Sequence, residues 1–352
     1  MSATVDTLQT LISMKTVTSD KQANYEALMW CQNYLNNKNV LSKLEIINDQ
    51  PLLWWGCKPE KAEIMINSHI DVVPGSDAIF TPKITGDRLF GRGSLDTKSS
   101  IASYLDLPET TIKSALDKKI IFVLVSDEEI GGPSTKAFLP YLTKLKFSVF
   151  GEPTDMRIVN EAKGIIQVKV NANGVSAHGS RPWLGKNAIE RVNEGLTSFL
   201  KGNSTPRQET KATTFNFSMI SGGTAINQVP STCELLIDVR FNPKDNPNII
   251  LREIKGHFKL CEVMALKTES HIYTDPAHPL NKKLSKALKS NGVIPQFSFD
   301  HGSSDARHCT AKRIPAVIFG PTGKNLHSEK EWVDMKSVVR LGKIMEDFIN
   351  SL

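Results

Sequence analysis

Five short strings in this chain carry side chains able to bind a metal ion or move a proton. The first is Ser68-His69-Ile70-Asp71-Val72-Val73-Pro74, after the apolar run Ile64–Asn67. In an extended segment His69 and Asp71 point to the same side. The carboxylate can then accept one imidazole N–H and leave the other nitrogen for a metal. A histidine hydrogen-bonded near a turn is the plainer alternative. The second string, Gly91-Arg92-Gly93-Ser94-Leu95-Asp96-Thr97-Lys98, puts Asp96 at the head of a helix-like stretch. There it suits either a helix cap or a carboxylate bridging two ions; the glycine and lysine spacing is not that of a phosphate-cradling loop. The third, Ser126 to Gly132, sets Asp127, Glu128 and Glu129 at the end of the run IIFVLV. Three acids are costly to gather unless a cation lies among them. Phe150-Gly151-Glu152-Pro153-Thr154 and Asn325-Leu326-His327-Ser328-Glu329 each add one more donor directly after or near an apolar strand.

Taken together the strings offer two histidines, an aspartate and two or three glutamates. Mixed nitrogen and oxygen donors suit zinc or a similar divalent ion. Two such ions about 3.5–4 Å apart activate water at neutral pH, and a neighbouring glutamate outside the coordination sphere can serve as general base. The pair Glu128-Glu129 can fill both roles, one as ligand and one as base.

The elements that must position these residues alternate. Helical spacing runs through Thr4–Met14, Ala23–Asn37, Ser99–Leu105 and Ser134–Leu142. Between them lie strand-like runs at Leu44–Ile47, Ile64–Asn67, Ile120–Val125 and Ser148–Phe150. The uninterrupted β-branched run IIFVLV reads as a strand buried on both faces. The pattern predicts an α/β layer on a central mixed sheet flanked by helices. After Lys163 it changes: Ile165–Asn171, Thr213–Met219 and Cys233–Phe241 read as strands, Asn187–Phe199 and Pro247–Phe258 as helices. These predict an inserted α+β domain over 164–273, between catalytic segments 1–163 and 274–352. Helix Asn281–Ser290, strand Ala316–Phe319 and helix Lys336–Ile349 complete the main domain.

The bulk numbers agree with a folded protein of two domains: 352 residues, 40% hydrophobic and 23% charged. The formal net charge of +6 invites a nucleic-acid reading. Its densest runs, Lys113–Lys119 and Lys282–Lys289, sit instead in helix-like segments with apolar partners, as solvated helix faces do. No nucleic-acid partner is expected, and anionic small substrates fit the charge. Five cysteines with no close pair argue for a reducing compartment and for small buried hydrophobes rather than nucleophiles. The N-terminus reads as an amphipathic helix and not a signal peptide, and no apolar stretch is long enough to span a membrane. A cytoplasmic location is the expectation.

The strings HIDVVP, FGRGSLDTK, SDEEIGG, GEPT, AHGSRPWLGKNAI, DVR, GSSDAR and LHSE, in that order from residue 69 to residue 329, resemble the M20 metallopeptidase and amidohydrolase family. The resemblance covers nearly the whole chain. It implies a zinc-peptidase-like catalytic domain and a ferredoxin-like inserted domain that forms a homodimer. It implies two Zn2+ ions, with Co2+ or Mn2+ as substitutes. His69, Asp96 and Glu152 would hold one ion; Asp96 would bridge to the second, completed by Glu129 and His327. Glu128 would be the base, Asp71 the partner of His69, and the Asp96-Thr97 peptide bond would be cis. By the same resemblance His178 stabilises the oxyanion from the partner subunit. Arg240 and Asn227 contact the substrate's carboxylate and carbonyl region, and Ser303, Ser304 and Arg307 contact an acyl or α-carboxylate group. The C-terminal strings are similar to those of succinyl-diaminopimelate desuccinylases, but Glu161-Ala162-Lys163-Gly164 stands where those enzymes carry Arg-Arg-Gly. Lysine does not replace arginine at a bidentate site, so Lys163 moves the string toward the acetylornithine deacetylase type. The implied reaction is hydrolysis of the amide of an N-acyl amino acid. Rivals are a metallo-dipeptidase or aminopeptidase on the same site, a two-metal phosphodiesterase, and a metal-free binding protein.

Overall fold

The computed structural model describes residues 2–203 and 205–352. Its contacts divide the chain into two compact units. One comprises the chain up to Glu161, Tyr273–Phe299 and Ser304–Leu352; the other comprises Ala162–Ile272 and Asp300–Ser303.

The first unit is built on a nine-stranded mixed sheet. From one edge its strands are Ser42–Ile47, Gln50–Gly56, Ile120–Val125, Ile64–His69, Phe147–Phe150, Ala316–Ile318, Ile158–Ala162 and Ile272–Tyr273, with Phe297–Asp300 beside Ile158–Ala162. The run Ile120–Val125 is buried along its whole length, as a strand covered on both faces must be. It pairs in parallel with Ile64–His69, which pairs in parallel with Phe147–Phe150. Ala316–Ile318 then adds to Phe147–Phe150, also in parallel. Parallel neighbours need crossovers, here the helices Lys98–Leu105, Glu109–Asp117 and Pro133–Phe138. Lys98–Leu105 is buried at every position. Its small residues Ser99, Ser100, Ala102 and Ser103 let helices Ala3–Ser13 and Met335–Asn350 close on it, and Ser103 Oγ donates to Val338 O at 2.8 Å. Asp20 and Asp334 cap their helices by accepting from Ala23 N and Ser337 N. The helix expected over Ser134–Leu142 ends at Phe138 and tightens to a 3-10 turn over Leu139–Tyr141, because Pro140 cannot continue the ladder.

A second, four-stranded antiparallel sheet in this unit joins Gly323–Lys324, Trp332–Asp334, Arg88–Phe90 and Lys83–Thr85. Trp332 stands opposite Phe90. The loop after Phe90 and the loop before Trp332 therefore leave the same sheet side by side.

The inserted unit runs strand Gly164–Asn173, helix Ala188–Leu200, strands Thr214–Gly222 and Thr232–Phe241, helix Pro247–His257 and strand Glu262–Glu269. The sheet order is second, third, first, fourth, all antiparallel, which is the ferredoxin-like arrangement. Alternate residues Ile166, Val168, Val170 and Leu235, Ile237, Val239 pack with Val192, Phe199, Ile254 and Phe258. Among the described residues no helix is long and apolar enough to cross a membrane. Cys31, Cys57, Cys233 and Cys309 are buried and Cys261 partly so, all unpaired. Burial pushes the thiols of Cys31 and Cys309 up to about 12 and that of Cys57 to about 11, which leaves them inert as nucleophiles.

Candidate metal centre

Three neighbouring parallel strands of the first unit end on the same side, and the chain beyond each end supplies an acid or a histidine. His69 is the last residue of its strand and stands beside Val125. Glu128 and Glu129 form a short 3-10 turn three residues after Val125, and Glu152 lies two residues beyond Phe150. Ligands gather at the C-terminal ends of such strands. Asp96 and His327 come from the two loops that the smaller sheet aligns.

The Asp96 carboxylate lies between two imidazoles. Its Oδ1 is 3.0 Å from His69 Nε2, and its Oδ2 is 3.1 Å from His327 Nε2. Around it are two groups of closely spaced donors, His69 with Glu128 and Glu152, and Asp96 with Glu129 and His327; within each group the atoms lie within 4.8 Å of one another. His69 Nε2 is 3.6 Å from Glu152, and His327 Nε2 is 3.3 Å from Glu129. Asp96 is not the helix cap: Thr97 holds that position, and the Asp96-Thr97 bond is cis, as the resemblance implies. The Thr97 hydroxyl donates to His69 O at 2.9 Å and accepts from His69 N at 3.1 Å, which fastens the Asp96 loop to the His69 strand.

Asp71 is fully buried and joins three segments. His69 Nδ1 donates to Asp71 O at 2.9 Å and lies 3.3 Å from Asp71 Oδ1, so Nε2 faces the acids in the tautomer a metal ligand needs. The same carboxylate accepts from the backbone N–H of Glu128 at 3.2 Å and of Glu129 at 3.3 Å, and from Thr18 Oγ1 at 2.9 Å. The charge that orients His69 thus also orients the acidic turn.

Protonation states test whether cations fit here. Burial opposes charge on His69, yet Glu152, Asp71 and Asp96 hold its proton well above the usual histidine range. Hydrogen bonds to Asp96 and Glu129 raise His327 to about 10. Burial, with Asp96 nearby, pushes Glu152 up to about 7, and burial, Glu152 and Asp305 push Glu128 well up. Four carboxyl groups around two imidazoles thus share protons that a pair of divalent cations would replace. A mixed set of nitrogen and oxygen donors, with one carboxylate facing both groups, fits two such ions.

The turn that carries Glu128 and Glu129 is held from behind by Asp305, Thr135 and His308, none of them in the expected site, and by Arg307. It ends on Gly131 and Gly132, both with positive φ, 104° and 60°. A Cβ on Gly132 would lie 1.8 Å from Asp305 Oδ1, so only glycine lets the buried Asp305 carboxylate come this close. Asp305 Oδ2 accepts from Thr135 Oγ1 at 2.5 Å. Arg307 Nη2 and His308 Nε2 donate to Gly131 O at 2.6 and 3.0 Å. Arg307, expected as a substrate contact, is 4% exposed and supports the acidic turn. Ser304 is also buried, and its Oγ accepts from Ala306 N. Asp305 lay inside the string GSSDAR; its isolated acid gave no sign of facing a glycine 173 positions earlier.

The other expected contacts belong to the inserted unit. His178 is exposed, and its Nδ1 accepts from Ser180 N. Its segment adjoins that of Asn227, whose carbonyl accepts from Gly179 N at 2.7 Å. Arg240 Nε donates to Asp238 at 2.8 Å, and Lys163 Nζ donates to Thr214 Oγ1 at 3.4 Å. Thr214 stands opposite Arg240. Burial lowers the Lys163 ammonium, with the Arg240 charge adding to it, so two cations and a hydroxyl gather at one end of this sheet. Ser303 lies in the segment Asp300–Ser303.

The family model described as Peptidase family M20/M25/M40 matches residues 65–351. Succinyl-diaminopimelate desuccinylase 2 of Ruegeria sp. (strain TM1040) is 27% identical over 330 residues, 84% of this chain and 83% of that protein. A probable carboxypeptidase of Aspergillus clavatus is 30% identical over 277 residues, 69% of this chain and 65% of that protein. Among solved structures, aminopeptidase PepT from Bacillus cereus aligns with a TM-score of 0.82 at 18% identity, covering 99% of this chain and 97% of that one. The YXEP protein of Bacillus subtilis, described as a dinuclear metal-binding peptidase of the M20 family, aligns with a TM-score of 0.71 at 12% identity, covering 98% and 96%.

Proposed function

The chain belongs to Peptidase family M20/M25/M40, and from that premise we propose that it is a di-zinc hydrolase that cleaves the amide bond of an N-acyl amino acid. The observation that carries this reading is the Asp96 carboxylate, whose two oxygens face His69 and His327 separately. His69, Asp96 and Glu152 would hold one zinc, and Asp96, Glu129 and His327 the other; Co2+ or Mn2+ suits the same donors. Two such ions supply Lewis acidity that makes water a nucleophile at neutral pH. Glu128 is close to His69 and Glu152, yet Asp96 Oδ1 already gives that group a third donor. Glu128 is therefore free to act as general base. It takes the proton from the attacking water and returns it to the leaving amine. Asp71 holds His69 and the backbone of Glu128 and Glu129 in place meanwhile.

The substrate carries a free carboxylate on this reading. Lys163 and Arg240, two cations beside Thr214 in the inserted unit, are of the type that grips one, and Asn227 and Ser303 are assigned to the carbonyl and acyl portions. His178 is assigned the oxyanion, donated from a partner subunit. The inserted sheet supports dimer formation, because its edge strand Thr214–Gly222 exposes Met219 and Ile220. A cytoplasmic enzyme of amino-acid metabolism is the setting that fits.

The test has two arms. Glu128→Gln abolishes turnover with zinc content near normal, whereas Asp96→Ala loses metal; the reverse pattern overturns the assigned roles. Zinc-loaded protein is also offered N-acetylornithine, N-succinyl-diaminopimelate and a set of dipeptides. Turnover confined to the peptides overturns the deacylase reading in favour of a dipeptidase or aminopeptidase.

A further inference from the structure

Arg92 and Glu331 are both buried and paired, with Arg92 Nη1 donating to Glu331 Oε2 at 2.8 Å. Both side chains hold backbone that carries a donor of the metal centre. Glu331 Oε1 accepts from Leu95 N at 3.0 Å and from Asp96 N at 3.2 Å. Arg92 donates to His327 O and Ser328 O, each at 3.3 Å, and to Pro74 O at 3.2 Å. The pair therefore ties the Asp96 loop, the His327 loop and the segment after Asp71 into one piece. Its place follows from the smaller sheet, where Trp332 stands opposite Phe90 and Gly91 N donates to Glu331 O. Gly93, with φ of 77°, turns the chain straight after Arg92; a Cβ there would lie 2.8 Å from Lys98 Cδ.

The two loops do not depend on this pair equally. Asp96 has a second anchor through the Thr97 hydroxyl and the His69 backbone. His327 lies in an exposed loop, and its own carbonyl is held by Arg92. Loosening the pair should therefore displace His327 more than Asp96. We propose that Arg92 and Glu331 are positioning residues that set the affinity of the Asp96, Glu129 and His327 group for its cation, independently of the group containing His69 and Glu152. This rests on the two-metal reading given above.

Metal-free protein is titrated with Zn2+ by calorimetry and with Co2+ by visible absorption, and the two binding steps are resolved. Wild type is expected to take up two ions. Glu331→Gln, which keeps the shape but removes the charge opposite Arg92, is expected to weaken one step about 10–100-fold, the range for supporting partners of metal ligands, and to leave the other within about threefold. Should Glu331→Gln fail to fold, Arg92→Lys carries the same test, since lysine keeps the charge but cannot span both loops. Equal weakening of both steps alongside a lowered Tm means the pair only supports the fold, and unchanged steps mean it does nothing for the metals; either result overturns the proposal. Fewer than two ions in wild type overturns the two-metal reading instead, so the two failures are distinguishable.

Discussion

Replacing Gly132 by alanine tests the support behind the acidic turn, and Gly86→Ala supplies the matched control. Both glycines have nearly the same left-handed backbone, φ 60° and 58°, but nothing lies within 4 Å of a Cβ at Gly86. Alanine in that region costs about 1–2 kcal/mol, partly offset by about 0.4–1 kcal/mol from a less flexible unfolded chain. Gly86→Ala should therefore destabilise by only about 1 kcal/mol. At Gly132 the new Cβ falls 1.8 Å from Asp305 Oδ1 and 2.2 Å from its Cγ and Oδ2. The buried carboxylate must move, at an overpacking cost of about 1–3 kcal/mol, and it strains or loses the bond from Thr135, a charge-assisted contact of about 1.5–3 kcal/mol. The excess over the control is about 3–5 kcal/mol, which lowers Tm by on the order of 10 °C in a protein of this size. Gly131 moves with it, so the turn carrying Glu128 shifts; a displacement near 1 Å costs about a hundredfold in rate. Thermal melts of both variants, with kcat on any turned-over amide, provide the assay. If Gly132→Ala melts with Gly86→Ala and retains its kcat, the turn is not held as described.

Three further outcomes follow from the same geometry. Asp71→Asn offers one acceptor oxygen to two backbone donors and removes the charge beside His69, so metal affinity and kcat/KM should each fall about 10–100-fold with an unchanged circular dichroism spectrum; normal affinity would refute its role. Chelation should lower Tm and added Zn2+ restore it, by about 2.7 kcal/mol of stability at a free metal concentration one hundred times Kd. Because Glu152 near 7 and His327 near 10 hold protons in the metal-free site, cation binding must expel them, and affinity rises as pH rises through neutrality. Calorimetry in two buffers of different ionisation enthalpy reads the protons released; none released near pH 7 would contradict that state of the site.

The candidate donors His69, Glu128, Glu129 and Glu152 were legible because each sits in a short string at the end of an apolar strand, and parallel strands bring such ends together whatever the loops do. IIFVLV and Ile64–Asn67 identified themselves by composition, and the inserted unit by alternation. What escaped was long-range or irregular. Glu331 lies two residues past the string LHSE, and its role exists only because Trp332 pairs with Phe90 across the chain. The strand Gln50–Gly56 was hidden by Pro51 near its start, a position a strand tolerates. Glu262–Glu269 lacks clean alternation because it is an edge strand with an irregular register between Ala265 and Lys267. The three-residue strands Lys83–Thr85 and Arg88–Phe90 are too short to show a period. Arg307 illustrates a different limit, since an arginine beside a small-residue string gives no sign that its guanidinium donates to the distant Gly131 carbonyl.

The position of the strand Ala316–Ile318 bears on how the protein is made. It lies between Phe147–Phe150 and Ile158–Ala162, strands that leave the ribosome more than 150 residues before it. At about 5–20 residues per second, the nascent sheet keeps an open seam beside Phe147–Phe150 for roughly 8–34 s. During that interval the inserted unit emerges whole and can fold, while His69, Glu128 and Glu152 are already present without His327. The seam is an unpaired, apolar strand edge of the kind that invites aggregation. Nascent chains of this architecture therefore have a timed need for protection, which ends when the last central strand slots in and brings the remaining histidine with it.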